Sequence, residues 1–341
     1  MTTKSKVNEF LPWIEIYRPS SLDEVISHGS IIDILRNFIK NKTLPHLLFH
    51  GPSGTGKTSV ITAISNEMYG KYSQYMVMEI NASQERGIEF VRNKISQFAE
   101  TKSMLFYTEH RDMFKLIILD EVDAMTIEAQ CALRIVMEQY TENVRFCLIC
   151  NYIEKINLAI QSRCVCLRFL PLKNKYVKLK IMEVCDIENI KITDQATSTL
   201  ISRSNGDMRK ILNVLQAVAN YKNITEEIIN GCLSYPCEKI INQYFSSLMD
   251  DTLEESILFF DEYENKYNFQ LTNIITEIHT IIIDIILGKR KVDFKINQIN
   301  VQKILDMLKD IEHNTLICIS HQIQCMAFIS LFKLYPINDK K

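Results

Sequence analysis

Glycine and proline are scarce in this sequence, 9 and 7 among 341 residues. A chain of many short strands needs turn residues at every corner. The scarcity therefore excludes a β-sandwich or a disordered protein and favours helices joined by short connections. Long uncharged apolar runs are missing as well. The most apolar stretch, Leu271 to Leu287, carries Glu277, His279 and Asp284, which fits a buried amphipathic helix and not a membrane span. No charge of one sign dominates: 39 basic and 41 acidic residues leave a net charge of −2. Any nucleic-acid contact must then come from a local patch. Met1 to Asn8 is polar with no apolar segment behind it, so no secretory leader is expected.

Cysteine is plentiful, with ten residues. In the reducing compartment expected of a chain without a leader, these thiols are expected to be unpaired, small core residues. Zinc ligation by Cys147 and Cys150 together with Cys164 and Cys166 is disfavoured. Val144 to Asn151 reads as a buried strand, and residues three apart on a strand point to opposite faces.

The length suits two or three domains. From about Pro45 to Leu170, nearly continuous apolar runs alternate with helical patterns. The runs are His46–His50, Tyr75–Ile80, Phe114–Leu119, Val144–Cys150 and Cys164–Phe169. The helical patterns are Lys57–Met68, Glu85–Phe98 and Thr126–Tyr140. Such runs are expected of parallel strands covered on both faces, and the alternation predicts a βαβ fold. Strand signals stop at Pro171. Two or three helices follow, one starting near Thr193 or Asp194 and another near Asp207. From Leu233 onward the pattern is of further amphipathic helices, interrupted near Gly288 and Asn297.

Gly51-Pro52-Ser53-Gly54-Thr55-Gly56-Lys57-Thr58 matches the phosphate-loop pattern in full, after an apolar strand and opening a helix. The residue types follow from the chemistry. Glycines let backbone N–H groups wrap phosphates, Lys57 neutralises β/γ oxygens, and the Thr58 hydroxyl suits magnesium. Ser59 follows on the same turn. Leu116 to Leu119 ends in Asp120 and Glu121, the Walker B arrangement, in which Asp120 is expected in the magnesium shell and Glu121 beside the attacking water. ATP and Mg2+ are the expected ligands.

With these motifs in place, Trp13 to Pro19, Asn81 to Ile88, Cys150-Asn151-Tyr152, Ser162-Arg163-Cys164 and Gly206-Asp207-Met208-Arg209 resemble, in the same order, the small subunits of replication factor C. That family is the AAA+ sliding-clamp loader, and the likeness covers about residues 11 to 216. It implies an α/β fold: an AAA+ P-loop domain with a parallel five-stranded sheet over residues 1–170, a helical lid over 171–232, and an all-α collar that oligomerises over 233–341. It also implies roles. Tyr17, Arg18 and Pro19 would line the adenine, Asn151 would position water at the γ-phosphate, and Arg209 would reach it from the lid. Arg163 would be a finger offered to ATP on a neighbouring subunit, and fingers contribute roughly 10³–10⁵ in rate. Arg86, Arg92 and Lys155 would track the DNA backbone, and Met104, Leu105, Phe106 and Tyr107 would touch the clamp, PCNA. The implied partners are the other replication factor C subunits, the clamp and primer–template DNA, in the nucleus. Gln84 and Ile135 depart from the family's usual acidic and basic residues, outside the phosphate loop. Two other readings stay open at this point: an AAA+ DNA motor of the branch-migration helicase type, and a structural subunit that binds ATP without cleaving it.

Overall fold

The computed structural model describes residues 11–84, 87–100, 114–267, 269–290, 297–317 and 320–337, with the side chains of Phe90, Arg92, Asn265 and Leu316 outside that description. The chain forms two compact units, Met1–Lys222 and Asn223–Lys341.

The first unit is built on five parallel strands: β1 (Leu47–His50), β2 (Val77–Asn81), β3 (Lys115–Asp120), β4 (Val144–Cys150) and β5 (Val165–Arg168). Their order is β2-β3-β4-β1-β5, with every pairing parallel. Alternation along each strand splits the core in two. Leu48, Ile117, Leu119, Phe146 and Leu148 join the cluster on one face, and Leu47, Phe49, Leu116, Ile118 and Ile149 join that on the other. The same alternation sends Cys147 to one face and Cys150 to the other, so the two thiols do not share a ligand position. The cysteines are not uniformly core residues, because Cys131, Cys166 and Cys232 are exposed. Residue 166 sits on the edge strand β5 and residue 131 on the helix Ile127–Gln139.

Several helices position the site. Helix α1 (Lys57–Tyr69) follows the phosphate loop, and α2 (Ile127–Gln139) follows the acidic strand end. The Thr126 hydroxyl caps α2 by accepting from Ala129 N–H. Helices α3 (Asn174–Ile187), α4 (Asp194–Ser204) and α5 (Met208–Ala217) follow β5. Two expectations change. Residues 73–76 are a helical turn, and Tyr75 is exposed, so the β2 strand starts at Val77. The region predicted as one helix over 85–98 is a helical turn at Ile88–Phe90, a π turn at Val91–Ile95 and a helix at Ser96–Glu100. A π turn admits one extra residue and shifts the buried face, which keeps Val91, Ile95 and Ala99 in the core.

The second unit is helical. Its principal elements are α6 (Glu238–Asp250), α7 (Leu253–Tyr267), α8 (Leu271–Ile286), α9 (Gln298–Ile317) and α10 (His321–Leu334). On α8 the residues Leu271, Ile274, Ile275, Ile278, Ile281, Ile282 and Ile285 are buried, one stripe at helical spacing. The Lys333 ammonium donates to the Ser247, Leu248 and Asp251 carbonyls at the C-terminus of α6, where the helix dipole favours a cation. Among the described residues, no helix is long and apolar enough to cross a membrane.

Candidate active site

Strands β1, β3 and β4 end side by side, and their C-terminal ends bring the motifs together, as ligand sites do in open parallel sheets. After β1 the loop turns sharply. Gly51 has φ 140°, and a Cβ there would lie 2.1 Å from the Phe169 carbonyl oxygen, so the position requires glycine. The Lys57 ammonium, mostly buried, donates to the Gly51 and Pro52 carbonyls at 2.7 and 2.8 Å and to Asn151 Oδ1 at 3.0 Å. Burial lowers its pKa, opposed by Asp120; the nearby Arg209 guanidinium lowers it further.

Thr58 Oγ1 donates to Asp120 Oδ2 at 2.8 Å. Two oxygens bound to one magnesium at 2.0–2.1 Å stand about 2.9 Å apart along an octahedral edge. The pair is therefore already at the separation such an ion needs, and both donors are of the hard oxygen type it prefers. Glu121 is held at φ 56°, a left-handed backbone rare for a non-glycine residue and found where a side chain must be aimed. Its N–H donates to Asp120 Oδ1 at 2.9 Å.

The lid contributes through the start of α5. The Asp207 carboxylate accepts from Arg209 and Lys210 N–H groups, capping the helix, and from Ser53 Oγ at 2.8 Å. Met208 N–H donates to the Gly54 carbonyl at 3.2 Å. Gly54 has φ 66°, and a Cβ on it would fall 1.7 Å from Asp207 Oδ1. The lid thus rests directly on the phosphate loop.

A cavity of about 410 Å³ is lined by Tyr17, Arg18, Pro19, Ser53, Gly54, Thr55, Gly56, Lys57, Thr58, Ser59, Asp120, Glu121, Asn151 and Arg209. It is within the size of small-ligand sites. Gly51 and Pro52 contribute carbonyls to Lys57 rather than lining. Tyr17 hydrogen-bonds Glu188, and burial with that carboxylate pushes its phenol far above the ordinary range; Trp13 N–H donates to Gln216 Oε1 at 3.0 Å. The N-terminal segment is thereby tied to α5 and to the end of α3.

Arg163 lies outside this lining. Its guanidinium donates to the Ala159 carbonyl at 2.8 Å and pairs with Glu138 on α2. Lys155 is exposed, its ammonium 5.0 Å from the centre of the Tyr152 ring. Arg86 and residues 104–107, and the Arg92 side chain, lie outside the described residues. Three residues at the site do work that the motifs did not assign to them. Asp207 is one. Asp123 accepts from Asn151 and Tyr152 N–H at 3.2 Å each, fixing the end of β4. His28, near the Thr55 carbonyl, is the third. Asp207 leaves a sequence signal as an aspartate just before a helix start, and Asp123 stands two residues after Glu121 at the end of the Walker B run.

Fold and site together define an AAA ATPase. Residues 47–172 match the family described as "ATPase family associated with various cellular activities (AAA)". Similar proteins span nearly the whole chain. A probable replication factor C subunit 5 of Dictyostelium discoideum is 40% identical over 96% of this chain and 91% of that one. Replication factor C subunit 3 of Schizosaccharomyces pombe is 42% identical over 95% and 91%, and that of Saccharomyces cerevisiae 39% over 99% and 97%. The chain belongs to the replication factor C small subunits, the ATPase subunits of a multi-subunit clamp loader. Among solved structures, Thermotoga maritima RuvB is similar in fold, with a TM-score of 0.51, 15% identity, and coverage of 74% of this chain and 86% of that one. At that identity the likeness is one of architecture and carries no motor activity with it.

Proposed function

We propose that this subunit binds and hydrolyses ATP with Mg2+ inside a hetero-oligomer with the other replication factor C subunits, opening the sliding clamp PCNA and leaving it on primer–template DNA in the nucleus. The observation that carries the reading is the single cavity in which the phosphate loop, the two carboxylates, Asn151 and Arg209 converge.

Roles follow from positions. The loop N–H groups and Lys57 take the β/γ phosphates, exchanging the Lys57 contacts to Gly51 and Pro52 for phosphate oxygens. Thr58 and Asp120 hold the metal shell; magnesium, when bound, neutralises charge on the transferred phosphoryl group. Glu121 orients the attacking water and draws on its proton, with Asn151 fixing that water from the other side. Arg209 reaches the γ-phosphate from the lid, and Tyr17, Arg18 and Pro19 flank the base. Arg163, which is outside the lining of its own cavity and paired with Glu138, suits a neighbour's site, so the isolated chain holds half an active site. Arg86, Arg92 and Lys155 meet DNA phosphates, and Met104 to Tyr107 touch the clamp.

The test is turnover by the reconstituted complex with clamp and DNA. Glu121→Gln should retain ATP binding and lose its share of hydrolysis; unchanged turnover would favour a subunit that binds ATP without cleaving it. A native mass of a homohexamer, in place of a mixed pentamer, would favour the motor reading.

A further inference from the structure

A second constellation stands in the helical unit, outside any nucleotide chemistry. Helix α7 presents Glu264. Helix α10 presents His321 and, one turn on, Cys325, which share a face at i, i+4 spacing. One ligand atom from each lies within 4.8 Å of the others. His321 Nε2 is 2.5 Å from Glu264 Oε1 and 3.4 Å from Cys325 Sγ. The same ring nitrogen therefore faces both a carboxylate and a sulfur. A ring nitrogen that donates to the carboxylate cannot accept the thiol proton, and one that accepts from the thiol cannot donate to the carboxylate. A cation between them satisfies all three donors at once.

We propose that Glu264, His321 and Cys325 form a binding site for a zinc-class divalent cation that clips α7 to α10. Zinc binds nitrogen at about 2.0–2.1 Å and sulfur at about 2.3 Å, which at a tetrahedral angle separates the two ligands by about 3.6 Å. The observed sulfur–nitrogen distance of 3.4 Å already matches that edge. The oxygen–nitrogen edge is about 3.4 Å on the same geometry. Glu264 must therefore withdraw by roughly 1 Å from its present contact, a torsional adjustment at the rim of the site. Sulfur and imidazole donors select zinc, cobalt or nickel over magnesium and calcium, so the site is distinct in kind from the oxygen-only pair Thr58–Asp120. Cys325 is 6% exposed and forms the floor. The His321 side chain is 48% exposed and leaves the mouth open for entry and for water as a fourth ligand. Binding expels the Cys325 thiol proton to solvent and forms a sulfur–metal bond, so charge and atoms balance. Holding two helices of one core together, the ion stabilises the folded unit by mass action.

The test uses the full chain, stripped with a chelator and titrated with Co2+ alone. One equivalent should produce a sulfur-to-cobalt charge-transfer band and raise the thermal midpoint, and one equivalent of Zn2+ should abolish the band. Cys325→Ser and His321→Gln should each remove the band, whereas Cys131→Ser, at an exposed thiol elsewhere, should keep it. Metal bound by oxygen at the phosphate loop gives no such band. A wild-type chain without the band, or a band that survives in Cys325→Ser, overturns the site and leaves only a Glu264–His321 contact beside a core thiol.

Discussion

Gly54 shows how one residue can be constrained twice. Its φ of 66° costs a residue with a side chain about 1–2 kcal/mol, and any Cβ would also collide with Asp207. Gly54→Ala is therefore expected to weaken ATP binding by the isolated chain at least about tenfold, since 1.4 kcal/mol is a factor of ten; equilibrium binding of a fluorescent ATP analogue measures it. His46 provides a pH signature. Buried between strands, it accepts the Phe146 N–H at Nδ1 over 3.1 Å. Burial, with the Arg145 guanidinium adding to it, lowers its pKa to about 4. Between pH 6.5 and 4 the unfolded chain binds a proton here that the folded chain refuses. The stabilising effect, about 3 kcal/mol, is complete above pH 6.5 and is lost as pH falls through that window. Thermal midpoints at pH 7 and 5 should differ by less in His46→Asn than in the wild type.

At the scale of elements, the start of α5 matters most. Asp207 caps the helix and grips Ser53, 154 residues away in sequence. Asp207→Ala should lose about 1 kcal/mol of stability from the cap. It should also loosen the lid, lowering ATP affinity more than Thr126→Ala, which removes a cap of the same kind on α2, away from the cavity. Parallel nucleotide titrations and denaturant melts of the two variants check this. The strands were legible in the sequence because both faces of the sheet are covered, which leaves uninterrupted apolar runs such as Leu116 to Leu119. The phosphate loop was legible because its glycines and its lysine are adjacent in sequence. The grip of Asp207 on the loop was not, because it depends on a contact between distant segments. The π turn at Val91–Ile95 was hidden for another reason: one extra residue in a turn leaves the composition of a helical segment unchanged. The placing of Tyr75 in a strand failed because its aromatic ring, a strand former by propensity, faces solvent from a helical turn.

At the scale of the molecule, the phosphate loop, Asp120, Glu121, Asn151 and Arg209 line one cavity, and Arg163 lies outside that lining, paired with Glu138. DNA contact, if carried by Arg86, Arg92 and Lys155, should be electrostatic. Alanine at all three should reduce the slope of log affinity against log salt by roughly 2–3, the sum of about 0.7–0.9 per phosphate contact. Salt titrations of the assembled complex on primer–template DNA measure it. The central claim is that this chain binds ATP alone and cleaves it only in company, giving its own arginine to a neighbour. The direct measurement compares ATP binding by isolated Arg163→Ala with turnover by the complex assembled around it. Unaltered binding with turnover at the affected site slowed by roughly 10³–10⁵ is the predicted result. Full turnover in a fully assembled complex would contradict the account.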